Sequence, residues 1–195
     1  MKNKAHAKIN LCLNVKGKLE NGYHEMEMVM VPLTLHDMIE INFSSEMALI
    51  SNARFLTMDR RNTVIKAIEL LREEYGFTQN FTITLNKHIP TQAGLAGGSS
   101  DAAATIRMLN KMLHLNMDEN KMMEIAKKVG ADVPFFIRSK PAVVEGIGEI
   151  LTPFEVSADF QILLVKPRYG VSTKACFAKL NLQHAEHPNH LMMKK

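Results

Sequence analysis

Lys87-His88-Ile89-Pro90-Thr91-Gln92-Ala93-Gly94-Leu95-Ala96-Gly97-Gly98-Ser99-Ser100-Asp101-Ala102-Ala103-Ala104 is the stretch on which the fold turns. Before it, residues 81–86 (FTITLN) alternate apolar and polar side chains and predict a half-buried strand. After it, Ile106, Leu109 and Leu113 recur at helical spacing. A strand therefore feeds a glycine-rich loop, and the loop opens a helix. Gly94, Gly97 and Gly98 give the backbone access to positive φ and let a ligand come close. Ser99 and Ser100 stand at the expected helix start, where N–H groups lack helical partners and the helix dipole is positive. Such a terminus takes an anion, most often phosphate. The second glycine of the run is not followed by lysine, so this is not the GxxxxGK[ST] loop, and it is not GxGxxG. A Gly-Gly-Ser-Ser run alone also reads as an ordinary capped helix start, because Ser and Asp are favoured there.

The 195 residues are enough for one medium domain, or one domain and part of another. With 46% hydrophobic and 23% charged residues the composition is that of a globular protein. The net charge of +4 is scattered, with no run of five or six Lys/Arg. No nucleic-acid partner is expected, and a mild attraction for anionic small molecules accounts for the excess. Cys12 and Cys176 lie far apart and show neither zinc nor disulfide spacing, which suits a reducing cytoplasm. The first 15 residues alternate without a continuous apolar core, so neither a signal peptide nor a membrane span is expected.

Along the chain, Ala7, Ile9, Leu11 and Leu13 share one face of a first strand, and Lys8, Asn10, Cys12 and Asn14 the other. Period alone puts Lys8 and Asn10 on the solvent side. Residues 19–22 (LENG) predict a turn, 24–35 a second extended run with Pro32 at an edge or bulge, and 37–43 a third strand. Residues 47–51 suggest another short strand. Residues 62–75 predict a helix with Val64, Ile65, Ile68, Leu71 and Tyr75 inward and Gly76 as its C-cap. Asp118 is expected to cap a third helix, with Met122, Ile125, Ala126 and Val129 inward and Gly130 as its stop. Asp132 reads locally as a cap, with Pro134 in the first turn that follows. Residues 141–151 predict one strand with a Gly-x-Gly kink, 160–166 a buried apolar strand, and 172–182 a short helix capped by Ser172.

The string Pro90-x-x-x-Gly94-Leu95-x-Gly97-Gly98-Ser99-Ser100-Asp101 resembles the phosphate loop of the GHMP kinases, the superfamily of galactokinase, homoserine kinase, mevalonate kinase and phosphomevalonate kinase. In chain order stand Ala7-Lys8-Ile9-Asn10-Leu11, Asn21-Gly22-Tyr23-His24-Glu25, the glycine loop, Gly130-Ala131-Asp132-Val133-Pro134, Gly146-x-Gly148-Glu149 and Lys166-Pro167-x-x-Gly170-Val171-Ser172-Thr173. As a set these resemble the branch that phosphorylates the 2-hydroxyl of 4-diphosphocytidyl-2-C-methyl-D-erythritol on the non-mevalonate route to isoprenoids. The resemblance runs from about residue 5 to 187 and implies an α/β (α+β two-layer) fold. Residues 1–153 would be a GHMP kinase N-terminal domain like the second domain of ribosomal protein S5. Residues 154–195 would begin a ferredoxin-like second domain.

The resemblance carries the catalytic pair onto Lys8 and Asp132. It places ATP on Pro90, Thr91, Gln92, Ala93, Gly94, Leu95, Ala96, Gly97, Gly98, Ser99 and Ser100, and the small-molecule substrate on Asn10, Tyr23 and His24. The implied cofactor is ATP with Mg²⁺, with no dedicated metal site in the protein. These residue types suit the reaction. An alcohol is a poor nucleophile at neutral pH, and a carboxylate within hydrogen-bond reach takes its proton as the new P–O bond forms. A lysine beside both orients the hydroxyl and stabilises the phosphoryl oxygens. Tyr23 offers a ring face and a hydroxyl to a pyrimidine, and reads equally as a turn-flanking aromatic packed on the sheet. The family's further glycine-rich segment has no counterpart after Gly170. That predicts a shortened second domain with an exposed sheet edge: either a partner or second copy covers it, or the remnant packs differently, or the chain is a truncated copy. The alternatives to the kinase function are a catalytically impaired, truncated nucleotide-binding remnant of the family and a GHMP kinase for another small alcohol.

Overall fold

The structure is a computed structural model that describes residues 1–20, 22–156, 160–168, 170 and 176. The elements run β1 (Lys2–Lys18), β2 (His24–Ser44), β3 (Ala48–Ser51), α1 (Thr63–Tyr75), β4 (Asn80–Asn86), α2 (Gly97–Met112), α3 (Glu119–Val129), α4 (Val133–Arg138), β5 (Ala142–Gly146) and β6 (Ile150–Pro153). The strands form a six-stranded sheet in the order β3-β4-β2-β5-β6, with β1 paired to β2. The result is the expected mixed α/β two-layer arrangement, with helices over the sheet face that carries the core.

The second and third extended runs are one 21-residue strand, β2. Along one edge it pairs antiparallel with β1 from Glu40–Lys2 to His24–Lys18. Its other edge pairs β4 through Met38–Ser44 and β5 through Met26–Met30. Among the described residues no strand pairs with 31–37 along that edge, and there Asp37 accepts from the N–H groups of His88 and Ile89, just past β4. Pro32, which brings no N–H to a ladder, stands opposite Lys8 next to a register shift between His6 and Lys8.

The main core joins Phe81, Ile83 and Leu85 of β4 and Ile39 and Ile41 of β2 to the apolar stripes of α1, α2 and α3, with Phe135 and Phe136 of α4. α1 starts where Asn62 accepts a hydrogen bond from the Val64 N–H and stops at Gly76, whose φ of 67° lets its N–H reach the Arg72 carbonyl. Asp118 caps α3 by accepting from the Lys121 N–H. A smaller cluster of Ala7, Ile89 and Leu95, flanked by Ile9, Leu33, Leu35 and Ala93, binds the glycine loop to the sheet.

Three expectations are corrected. The alternation in β1 breaks at its register shifts: Lys8 is buried, while Leu11 and Leu13 are 51% and 46% exposed. The single strand expected at 141–151 is a hairpin, β5 and β6 around the Gly146–Glu149 turn, since Gly146 and Gly148 both have positive φ (71° and 113°). Residues 160–166 form no strand, and Leu163 and Val165 are 88% and 83% exposed, because no neighbouring strand in the described residues offers them a ladder. The helix expected at 172–182 and Asn21 of the expected turn lie outside the described residues, Cys176 excepted.

Ile83 and Ile50 test the assignment of core and edge. Ile83→Ala, at a fully buried site, should lower unfolding stability by about 2–5 kcal/mol. Ile50→Ala, at a site 58% exposed on β3, should change it by about 0.5 kcal/mol or less. Urea titrations with unchanged slopes would check both.

Candidate active site

Lys8 enters the site because β1 is irregular. The shift between His6 and Lys8 breaks the two-residue period, so Ala7 and Lys8 are both buried although they are consecutive. The Lys8 N–H leaves the ladder and donates to the Leu95 carbonyl of the glycine loop at 3.2 Å. Its ammonium donates to Asn10 Oδ1 at 3.2 Å and stands 3.8 Å from Asp132 Oδ2. That last distance is an ion pair too long for a hydrogen bond, with both groups close enough to hold one small hydroxyl between them.

Asp132 sits at the N-cap position of α4, but its side chain makes no cap hydrogen bond. Pro134 in the first turn has no N–H to cap, so a reason for capping is missing. The carboxylate points instead to Lys8 and remains 35% exposed. Two contacts steady this corner. Arg107 of α2 donates through Nη1 to the Phe136 carbonyl. A Cβ on Gly148 would stand 3.5 Å from the Ala131 carbonyl, so the β5–β6 turn lies against the residue before Asp132. Within that turn the Glu149 carboxylate accepts from the Ile147 N–H at 2.8 Å. The Gly-x-Gly-Glu motif is thus a buttress for the Asp132 loop, a role the sequence reading did not assign.

The glycine loop faces this pair. Its positive φ angles fall at Gln92 (53°), Gly94 (72°) and Ala96 (55°), not at Gly97 and Gly98 as expected. Gly97 and Gly98 are already helical, and there the missing side chain supplies space. A Cβ on Gly97 would stand 3.1 Å from Ile89 Cγ2 and from Lys87 Nζ. A Cβ on Gly98 would stand 3.3 Å from Thr63 Oγ1, which donates to the Gly98 carbonyl at 2.7 Å. The amides of Gly97, Gly98 and Ser99 precede the first hydrogen bond of the helix, Ser100 N–H to the Ala96 carbonyl at 3.0 Å, and have no partner within it.

A cleft of about 1040 Å³ joins these parts. One wall is the loop from Pro90 to Ser99, and the other is the β1–β2 hairpin with Asn10, Lys18, Tyr23 and His24. Lys8 and Asp132 stand between them, and Met26, Met28 and Met30 of β2 line the floor. Every residue assigned from the sequence lines this cleft except Ser100, which is buried with its N–H already bonded in α2. Lys18 and the methionine floor went unassigned. The alternation of Met26, Met28 and Met30 was the available signal for the floor. Among the described residues, no three His, Cys, Asp or Glu side chains converge to hold a metal ion, and no helix is long and apolar enough to cross a membrane.

Beneath the loop lies a charged cluster that sequence reasoning missed. Lys87 pairs with Asp37 of β2 and, at 2.6 Å, with Asp101, the fifth residue of α2. Asp37 also accepts from the backbone N–H groups of His88 and Ile89. Asp37 and Asp101 are 0% and 2% exposed, and Asp101 Oδ1 is buried without a hydrogen-bond partner among the described residues. Burial pushes the Asp101 carboxyl up to about 7; the Lys87 charge opposes this and the Asp37 charge adds to it.

Residues 62–140 match the family described as GHMP kinases N terminal domain. The chain is similar to a 4-diphosphocytidyl-2-C-methyl-D-erythritol kinase of Clostridium beijerinckii, 43% identical over 183 residues, covering 93% of this chain and 65% of the relative. It is equally similar to the enzyme of that name from Geobacillus thermodenitrificans, 43% identical over 189 residues, covering 95% of this chain and 65% of the relative. A crystal structure of a 4-(cytidine 5'-diphospho)-2C-methyl-D-erythritol kinase superposes with a TM-score of 0.68 and 35% identity, over 79% of this chain and 55% of that one. The chain thus spans about 65% of the length of the curated relatives it matches.

Asp101 makes stability depend on pH in a direction opposite to that of most carboxylates. Its carboxyl rises from 3.8 to about 7 on folding, so between those values the folded chain binds more protons than the unfolded one. Its contribution to stability should therefore fall as pH rises from about 4 to about 7, and be level on either side. Urea denaturation of the parent and Asp101→Asn at pH 5 and pH 8 should show the parent losing stability relative to the variant at the higher pH.

Proposed function

We propose that this chain, which carries the N-terminal domain of the GHMP kinase family, transfers the terminal phosphoryl group of ATP to the 2-hydroxyl of 4-diphosphocytidyl-2-C-methyl-D-erythritol. The observation that carries this reading is the Lys8–Asp132 pair, 3.8 Å apart, facing the open amides at the start of α2 across one cleft. Two relatives of that name at 43% identity support the choice of acceptor. Residues 154–195 begin the second domain in this reading.

The steps follow from the cleft's own residues. The amides of Gly97, Gly98 and Ser99 and the positive end of α2 hold the nucleotide's phosphates. Gly97 keeps that approach open, since even one added methyl would press on Ile89 and Lys87. The acceptor lies along the hairpin wall, its polar groups against Asn10 and His24 and its pyrimidine against Tyr23. Its hydroxyl sits between Lys8 and Asp132. Asp132 accepts the hydroxyl proton as oxygen attacks the γ-phosphorus, the bond from that phosphorus to the bridging oxygen breaks and ADP leaves with the electron pair, and the Lys8 ammonium, kept in place by Asn10 Oδ1, stabilises the transferring group's oxygens. Mg²⁺ bound with the nucleotide would supply charge neutralisation at the phosphates, and no residue of this chain is assigned to hold it. The rest of the acceleration comes from positioning two reactants in one cleft.

The decisive experiment is ATP consumption by the purified chain with Mg²⁺, in the presence and absence of the cytidyl-erythritol acceptor, with homoserine and mevalonate as competitors. Turnover should require the acceptor and be insensitive to the competitors. Acceptor-independent hydrolysis, or phosphorylation of a competitor instead, would overturn the reading. Asp132→Asn and Lys8→Ala should each lower turnover by about 10²–10⁴-fold while leaving ATP affinity within a few-fold. Gly97→Val should reverse that pattern, with ATP binding lost first; unchanged affinity would remove the loop from the nucleotide site.

A further inference from the structure

We propose that Asp37, Lys87 and Asp101 are the positioning residues of the phosphate loop, and that the triad exchanges a proton when a nucleotide occupies the loop. The inference rests on the reading of this cleft as an ATP site.

The triad joins three elements that share no ladder at this point. Asp37 lies in the stretch of β2 that, among the described residues, has no strand partner on one edge, and there it receives two consecutive loop amides, His88 and Ile89. Those bonds stand in for the missing ladder and set the direction in which the chain leaves β4. Lys87 then reaches from the loop's entry to Asp101 at the loop's exit, so one ammonium closes both ends of the segment from 87 to 101. The loop between them holds two non-glycine residues at positive φ, Gln92 and Ala96, a conformation that persists only when its surroundings impose it. Moving Lys87 would move Ile89, which packs against the site of Gly97, and with it the amides that face the cleft.

The charge balance carries the second half. Two carboxylates share one ammonium, so the triad has a surplus negative charge whenever both are ionised. That surplus sits directly behind the helix start that must receive a polyphosphate. Lys87 from the loop and Asp37 from β2 are the charged groups that act on Asp101, and its Oδ1 has no donor among the described residues to stabilise a charge. Like charges at this range disfavour each other, so an incoming polyphosphate raises the proton affinity of Asp101 and a proton is taken up from solvent. The proton goes onto the Asp101 carboxyl and leaves when the nucleotide leaves. By reciprocity, nucleotide affinity falls as pH rises through neutrality.

Calorimetric titration of the chain with Mg-ATP at pH 7.5, without acceptor, in two buffers of different ionisation enthalpy, counts the protons directly. The parent chain should take up a fraction of a proton per nucleotide. If bound phosphate raises the Asp101 pKa from about 7 by about one unit, affinity should be about five-fold higher at pH 6 than at pH 8. Asp101→Asn, which keeps an acceptor for Lys87 but cannot titrate, should lose the proton uptake and flatten the pH dependence; the titration of ATP itself is common to both proteins and cancels. In turnover, the variant's change should fall on the KM for nucleotide and leave the KM for the acceptor in place. A parent chain that binds Mg-ATP with no proton uptake, or a variant that keeps it, would overturn the inference. Absence of proton uptake in the parent overturns the inference even if the variant does not fold. Failure of the parent to bind Mg-ATP at all would instead overturn the reading of the cleft on which the inference stands.

Discussion

The ammonium of Lys87, held between two buried carboxylates, is the interaction on which the arrangement of this protein depends. Charges taken out of water are expensive, and a buried pair seldom adds much stability over well-packed apolar side chains. What it adds here is geometry. Among the described residues β2 has no strand partner on one edge between β5 and β4, and the chain just past β4 is almost free of regular structure until α2 begins. Asp37 supplies the acceptors that the absent strand would have supplied, and Lys87 binds the far end of the segment back to its start. Apolar residues filling the same volume would leave the His88 and Ile89 amides without partners.

Around this anchor the site is built from two local irregularities. The register shift in β1 turns Lys8 inward, and the six-residue α4 begins without a side-chain cap, so Asp132 remains available. Each departs from what local preference would select. They lie on elements more than a hundred residues apart in sequence, and they converge because the glycine loop and the helix that follows it reach both: the loop meets β1 through the Lys8 N–H and Leu95, and α2 meets α4 through Arg107 and Phe136. The β5–β6 turn adds a third support behind Ala131. In the proposed reading the reacting groups stand on β1 and at the start of α4, and the loop that faces them is fixed at both ends.

The cleft divides its labour by wall. The loop wall presents backbone amides and a helix start, groups suited to phosphate whatever it is attached to. The hairpin wall presents the side chains of Asn10, Lys18, Tyr23 and His24. The floor of methionines is apolar and adaptable.

The local elements were legible from the amino-acid order because their causes are local. Asn62 and Gly76 bound α1, Asp118 opens α3, and the alternation of 81–86 is that of β4. The residues of the cleft were legible through motif order, which preserves chemistry even where spacing does not reveal contact. Period gave the wrong side for Lys8, because a bulge is a property of two strands and β1 contains no mark of its partner's Pro32. The hairpin at 141–153 was hidden for a similar reason: Gly146 and Gly148 announce a bend, but the pairing of Val143 with Thr152 decides that the bend is complete. The pairing of Asp37, Lys87 and Asp101 left no local trace, since Lys87 is separated from the other two by 50 and 14 residues, and Lys87 and Asp101 read only as members of the glycine-rich stretch. The amino-acid sequence by itself determined which segments become strands and helices and which chemical groups are available, because those depend on neighbours along the chain. Only the tertiary structure decided which charges are buried together and which way Lys8 and Asp132 point, because burial and electrostatic pairing act across space between residues that the chain order keeps apart.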